Sequence, residues 1–326
     1  MKQINWGIIG CGDVTEKKSG PAFDKVKNSA LVAVMRRNAE KAKDYALRHH
    51  VPKWYDDAAK LIKDSDVNAI YIATPPSSHE EYTLAAIAAG KSVYLEKPMT
   101  LNYESAKKMV NAANEKNVKL VIAHYRRGQP YFKKIKQLLD ERIIGDIRFV
   151  RLDFYDQPLT AEELKVSKYA WRVDPSISGG GLFHDLAPHQ LDLMYYFFGE
   201  IENVSGFSLN QSKLYNADDI VSGNIVFKNG VVFNGLWSFN VDSDNEKDSC
   251  EIAGSEGTIH FSIFGKQQIT ITKNGDTEII SFDPLVHVQQ PMIEHVVEFF
   301  SNESSNPCSG EDGAEIMRLM DELTAK

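Results

Sequence analysis

The first residues that could do chemistry are two glycines and two arginines. Gly10 and Gly12 stand in Gly7-Ile8-Ile9-Gly10-Cys11-Gly12-Asp13-Val14, directly after a short apolar run. Glycines there let a backbone turn tightly and approach a pyrophosphate, with the next helix pointing its N-terminus at the anion. A plain strand-to-helix turn is the alternative. Where a third glycine would admit close helix–strand contact the chain has Thr15, and Thr15–Pro21 is polar, so this helix is expected to be short or to start late. Arg36 and Arg37 end the second apolar run, where a carboxylate would otherwise bind ribose hydroxyls. Guanidinium groups grip phosphate with paired donors. A solvated basic strand end is the alternative; the location favours a phosphate.

A second constellation lies further on. Asp185, His189 and Asp192 are spaced to share one helix face. Asp185 reads as an N-cap or as a group orienting substrate, and His189 as a buried histidine or a proton-exchanging one. Spacing alone leaves both pairs open. Pro188 requires the helix to begin near His184 or Asp185 if proline is to fall in a first turn. Tyr125-Arg126-Arg127 follows a strand-like run, and its arginines either attract an anionic substrate or brace the fold. The histidines show no metal-ligand spacing, so no metal site is expected.

These residues need elements to position them. Short β-rich runs fall at Ile4–Ile9, Ala30–Met35, Ala69–Ala73, Ser92–Leu95 and Val118–Ala123. Helical spacing separates them at Ala39–His49, Glu80–Ala89 and Ser105–Lys116. That alternation implies a parallel sheet with right-handed crossovers. Beyond Asp146 the pattern changes. A strand at Ile147–Tyr155 and a helix at Leu182–Phe198 precede a run of strands between Val204 and Phe282, with hairpin turns at Lys228-Asn229-Gly230, Ser255-Glu256-Gly257 and Asn274-Gly275-Asp276. Two helices, Met292–Ser301 and Gly313–Ala325, close the chain. The expectation is an α/β Rossmann domain over residues 1–125, then an α+β domain over 126–326 with a large, mostly antiparallel open sheet; the final helices could pack back on the first domain.

The chain has 326 residues, 43% of them hydrophobic and 25% charged, which fits two ordinary globular domains. With a net charge of −8 and no basic tract, nucleic acid is not an expected partner. No apolar run is long enough for a membrane span. The three cysteines, Cys11, Cys250 and Cys308, match no disulfide or metal pattern and suit a reducing, cytoplasmic setting.

Glu96-Lys97-Pro98 follows the run Ser92–Leu95. With Gly7–Val14, Thr74-Pro75-Pro76-Ser77-Ser78-His79 and Gly-Gly-Gly-Leu-Phe-His-Asp-Leu-Ala-Pro-His-Gln-Leu-Asp at 179–192, it resembles the Gfo/Idh/MocA family of sugar and polyol oxidoreductases across most of the chain. The resemblance implies hydride exchange between a nicotinamide dinucleotide and a carbonyl or secondary alcohol of a sugar, polyol or related small molecule. Lys97 would polarise the reacting oxygen, His189 would act as acid or base, and Asp185 would assist. Proline after Lys97 argues for a fixed turn, and a cis bond would suit it. Gly10, Gly12, Asp13, Val14, Arg36, Arg37, Thr74, Pro75, His79, Glu96, Lys97, Trp171 and Arg172 would line the cofactor, although His79 reads equally as loop packing and Trp171 as core. Two rival readings stand beside it: glycoside cleavage through transient oxidation by tightly held NAD, and a non-catalytic nucleotide-sensing regulator, against which Lys97, Asp185 and His189 together argue. Val231, Phe233, Gly235, Trp237 and Phe239 share one strand face too apolar for open water. The expectation is a homodimer or homotetramer through the C-terminal sheet, unless Trp237 and Phe239 pack under helices.

The arginines predict NADP(H) over NAD(H). In fluorescence titrations NADPH should bind more tightly than NADH, and changing Arg36 and Arg37 together to alanine should weaken NADPH far more than NADH. Tighter NADH binding by the unaltered protein refutes the assignment.

Overall fold

A computed structural model describes residues 3–325. The chain forms two compact units. The first runs to Gln129 and takes in Leu285–Met317; the second comprises Pro130–Pro284 and the last residues from Arg318.

The first unit is built on six parallel strands: β1 (Ile4–Ile9), β2 (Ser29–Met35), β3 (Lys53–Tyr55), β4 (Ala69–Ile72), β5 (Ser92–Leu95) and β6 (Leu120–Ile122), in the order β3-β2-β1-β4-β5-β6. β4 is buried at every residue, as a strand covered on both faces must be. Helices Ala39–Arg48 and Tyr103–Lys116 begin at Asn38 and Asn102, whose side chains accept from Lys41 N–H at 3.0 Å and Ser105 N–H at 2.9 Å. The order reverses at β1, which lies between β2 and β4. The register is level at the carboxyl ends: Ile9 pairs with Met35 and Ile72, Ile72 with Leu95, and Leu95 with Ile122. The loops that begin at Gly10, Arg36, Ala73 and Glu96 therefore leave the sheet side by side, around the point where such sheets bind ligands.

Leu285–Met317 belongs to this unit, so the division is not one cut after residue 125. Ile122 N–H donates to Cys308 O at 3.0 Å, and the ring of Phe300 lies 5.6 Å from that of the fully buried Trp6. β3 and the helix Ala58–Ile62 are among the elements of this unit that were not anticipated. β3 is only three residues long and shows no alternation; it is pinned by Lys53 and Tyr55 on Asp64 at 2.9 Å each. Helix Ala58–Ile62 is a single turn or so, capped by Asp57.

The second unit holds β7 (Ile147–Tyr155), β8 (Ile201–Leu209), β9 (Ile220–Phe227), β10 (Val232–Ser238), β11 (Lys247–Gly254), β12 (Gly257–Phe261), β13 (Gln268–Lys273) and β14 (Asp276–Ser281). Their order is β14-β13-β12-β11-β7-β10-β9-β8, and only β7 and β10 pair in parallel. Helix Leu182–Phe198 covers one face: the ring of Phe183 meets that of Trp237 edge-on at 5.1 Å, Gln190 accepts the Trp237 indole N–H at 2.6 Å, and the Phe198 ring lies 5.4 Å from that of Phe227.

Phe233, Trp237 and Phe239 are accordingly fully buried within the chain. The strand face that motivated an assembly interface is thus closed by the chain's own helix. The opposite face is the open one: Val232 pairs with Phe149 across β7, and these two residues remain 43% and 47% exposed. The helix begins at Leu182 after Gly181, with Asp185 N–H bonded to Gly181 O at 3.2 Å. Pro188 therefore falls inside the helix rather than in its first turn, and gives up the bond its N–H would have made to His184 O.

Candidate active site

Gly10 has φ +95°, and a Cβ there would stand 2.7 Å from Thr74 Cγ2 and 2.9 Å from Ala73 O. Only glycine permits β1 to turn this close to the loop after β4. A Cβ on Gly12 would meet nothing nearer than Gly10 O at 3.9 Å, so the space above that backbone is open. A glycine backbone bent beside open space fits a pyrophosphate. The helix that follows, Asp13–Lys17, is short; Asp13 is exposed and Val14 half-buried. Thr15 is buried, with its hydroxyl on Gly12 O at 2.8 Å and its own carbonyl accepting from Tyr45 OH at 2.8 Å. Arg48 grips Glu16 through both carboxylate oxygens at 2.8 Å, and His49 adds a third contact at 2.8 Å. The Arg48 hydrogen bonds hold the Glu16 carboxyl down at about 2. This anchor for the loop's helix was not read from the sequence, since Glu16 and Arg48 lie 32 residues apart.

Arg36 is half-buried, with Nη1 3.4 Å from Cys11 O, and Arg37 is exposed. Arg36 thus lies against the glycine loop itself. Burial pushes the Cys11 thiol up to about 11, so it stays protonated and unreactive.

Thr74 and Pro75 are half-buried in the loop after β4, where Ser78 OH donates to Thr74 Oγ1 at 2.8 Å. The geometry of His79 favours loop packing, one of its two readings. It is fully buried, with Nε2 2.7 Å from Thr74 O and Nδ1 3.0 Å from Pro98 O. Both ring nitrogens face backbone carbonyls, and the single N–H of the neutral ring donates to one of them, so His79 packs between the Thr74 loop and the Lys97–Pro98 turn. Burial lowers it to about 4.

The Lys97–Pro98 peptide is cis. Glu96 is 6% exposed; its Oε1 accepts Tyr71 OH at 2.5 Å and the Gln289 amide at 2.6 Å, and its Oε2 accepts Lys97 N–H at 3.2 Å. Glu96 therefore supports the turn from within, and Lys97 is the half-buried member of the motif. His124 is buried nearby; burial, with the charges of Arg127 and Lys97, holds it well below its usual value. Arg127 is itself buried and pairs with Asp312 at 3.0 Å, which gives it a bracing role.

In the second unit, Arg172 Nε donates to Asp185 Oδ2 at 2.9 Å, while its guanidinium lies 4.9 Å from the centre of the Trp171 ring. Trp171, Arg172 and Asp185 thus form one linked group. His189 is buried one turn beyond Asp185, and Asp192 deeper still. The His189 ring meets Phe264 edge-on at 5.8 Å. Phe264 is held by Asp248, whose carboxylate accepts the backbone N–H groups of Ile263, Phe264 and Gly265 at 3.0, 2.6 and 2.8 Å. The sequence carried no signal for this support, which joins a strand to a loop some 16 residues away.

Comparison with known proteins identifies the family and its fold. Residues 4–124 match the oxidoreductase family with an NAD-binding Rossmann fold, and residues 132–260 match the GFO/IDH/MocA C-terminal domain. Oxidoreductase P35 of Formosa agariphila is 50% identical over 98% of both chains. The 1,5-anhydro-D-fructose reductase of Ensifer adhaerens is 27% identical over 78% of this chain and 74% of its own. A solved structure of levoglucosan dehydrogenase with NADH and levoglucosan superposes with a TM-score of 0.86, at 24% identity over 99% of this chain and 96% of that one. The chain belongs to the Gfo/Idh/MocA family of oxidoreductases and carries that family's NAD-binding Rossmann fold.

The buried His79 gives a pH prediction. Its value in the folded chain lies below the ordinary 6.5, at about 4. The folded state then binds fewer protons than the unfolded one, so stability is lost as pH falls through 6.5 toward 4. His79→Gln should remove on the order of 2–3 kcal/mol of that loss. Urea midpoints for the first unit at neutral and acid pH measure it; an unchanged pH slope in the variant refutes it.

Proposed function

We propose that this oxidoreductase interconverts a carbonyl and a secondary alcohol on a sugar, polyol or related small molecule, with NADP(H) favoured over NAD(H). The observation that carries it is Lys97, set on a turn whose strand end is level with the glycine loop and fixed by the buried Glu96. Gly10, Gly12 and the first turn Asp13–Val14 would hold the pyrophosphate, Arg36 and Arg37 a ribose phosphate, and Thr74 and Pro75 the nicotinamide side. Bound there, the nicotinamide supplies the hydride exchange. The Lys97 ammonium donates a hydrogen bond to the reacting oxygen and stabilises its negative charge. His189 moves the proton at that oxygen, and Asp185, held by Arg172, orients the group beside it. In this reading the first unit serves the cofactor and the second the substrate. The named activities of the anhydrofructose reductase and of levoglucosan dehydrogenase support a sugar substrate. Three buried cysteines without disulfides support a cytoplasmic setting.

A spectrophotometric screen of sugars, polyols and aldehydes with NADH and NADPH tests the activity. With a substrate in hand, Lys97→Ala and His189→Ala should each lose about a hundredfold or more in turnover while still binding cofactor. Wild-type turnover in either variant removes that residue from the mechanism.

The same reading includes a homodimer or homotetramer through the second unit's sheet. Its open face, with Phe149 and Val232 paired and about half exposed, supports this. Light scattering at micromolar concentration should give at least twice the chain mass; a monomer refutes it.

A further inference from the structure

Gln289 precedes helix Gln290–Phe300 as its N-cap residue, yet its side chain makes no capping bond to that helix. It is 1% exposed, and its amide is committed elsewhere: Nε2 donates to Glu96 Oε1 at 2.6 Å, and Oε1 accepts Tyr94 OH at 3.3 Å. Glu96 in turn accepts the backbone N–H of Lys97. The same short segment reaches the helix of the glycine loop. Gln289 N–H donates to Lys18 O at 3.3 Å, and His287 Nδ1 lies 2.8 Å from Lys17 O. Ser19, just beyond, hydrogen-bonds the Tyr71 phenol that also serves Glu96.

We propose that Gln289 is a positioning residue of the cofactor site: it sets the Glu96 carboxylate and through it the Lys97 backbone, while its segment ties that turn to the helix of the glycine loop. The inference rests on the reading that Lys97 is a working group of the site. The Gln289 amide fixes the rotation of the Glu96 carboxylate; without it the carboxylate turns toward other donors, and the longest of its bonds, that from Lys97 N–H at 3.2 Å, is the one loosened. If Gln289 served only to fill space, any side chain of its length would do.

Two substitutions separate the cases. Gln289→Met keeps the length and removes the donor. Gln289→Glu places a second carboxyl against Glu96. Two carboxylates in contact share one proton, so the new side chain donates as the amide did at low pH and repels Glu96 at high pH. The titratable and charged groups around the pair are Tyr71 of β4, Tyr94 of β5, Lys97 beyond the turn and, near Lys97, His79, His124 and Arg127. Burial pushes both phenols up and both imidazoles down, so those four groups hold one charge state from about pH 6 to about pH 9.

The measurements are amide hydrogen exchange at Lys97 and NADH titration by fluorescence on the full chain, each variant compared with wild type at the same pH. Gln289→Met should speed exchange at Lys97 on the order of tenfold and weaken NADH at both pH values. Gln289→Glu should do so at about pH 9 and match wild type at about pH 6. Wild-type exchange at Lys97 in Gln289→Met, or exchange in Gln289→Glu that ignores pH, overturns the proposal. If Gln289→Met does not fold, the two pH values of Gln289→Glu decide alone. If Lys97→Ala keeps turnover, the catalytic reading fails whatever the exchange shows; if Lys97→Ala is inactive and exchange is unaltered, the positioning role alone falls.

Discussion

A carboxylate at the end of a parallel strand, almost without access to water, constrains what surrounds it. Glu96 must be met by donors, because a buried charge without hydrogen bonds costs several kcal/mol. The donors come from far apart in sequence: a phenol on β4, an amide from residue 289, and the backbone of the next residue. Placing them requires β4 and β5 in register, with the Leu285–Met317 segment folded back on the same unit. The membership of that segment in the first unit follows from this demand as much as from the packing of Phe300 beside Trp6.

The donors also explain why Lys97 rather than Glu96 is the outward member of its tripeptide. Both Glu96 oxygens are occupied from within, and His79 closes the other side of the turn through Pro98 O. A lysine between two buried anchors is restricted at its backbone while its stem stays half-exposed. In the role proposed for Lys97, that arrangement would lower the entropy lost when its ammonium is held against a reacting oxygen. His189 is supported differently. Its helix is fixed to the sheet by Gln190 on Trp237 and by Phe183, and its ring rests against Phe264, which Asp248 holds by three backbone bonds. In both units an acidic side chain that accepts backbone N–H bonds, Glu96 in the first and the half-buried Asp248 in the second, sets the backbone next to a candidate site residue.

What could be read beforehand was what local chemistry dictates. The glycine pair, the apolar runs of the parallel strands, the polar turns of the hairpins and the i, i+4 spacing of Asp185 and His189 all express constraints within a few residues. Helix Pro130–Asp140 was legible and overlooked: Tyr131, Phe132, Ile135, Leu138 and Leu139 repeat at helical spacing and are all buried. The cis bond before Pro98 was foreseen because proline followed a motif that needed a fixed turn. Gln289, Asp248 and the Arg48–Glu16 pair were not legible. Each is an ordinary polar residue whose partner lies 15 or more residues away, and only the fold makes it particular.

The readings of His79 and of the Val231–Phe239 face share one cause. For each, a buried reading stood beside an exposed one, and the structure favours the buried one. An imidazole with both nitrogens on carbonyls has no nitrogen left for a ligand, and a tryptophan whose indole N–H is taken by Gln190 has nothing to offer a second chain. Motif position fixes where a residue stands along the chain, whereas its role depends on which atoms remain unspent after the fold has satisfied its own polar groups. By that measure the arginines divide. Arg127 is committed to Asp312 and Arg172 to Asp185, while Arg37 stands exposed just past the end of β2. Among these three arginines, Arg37 is the one whose side chain the fold leaves exposed.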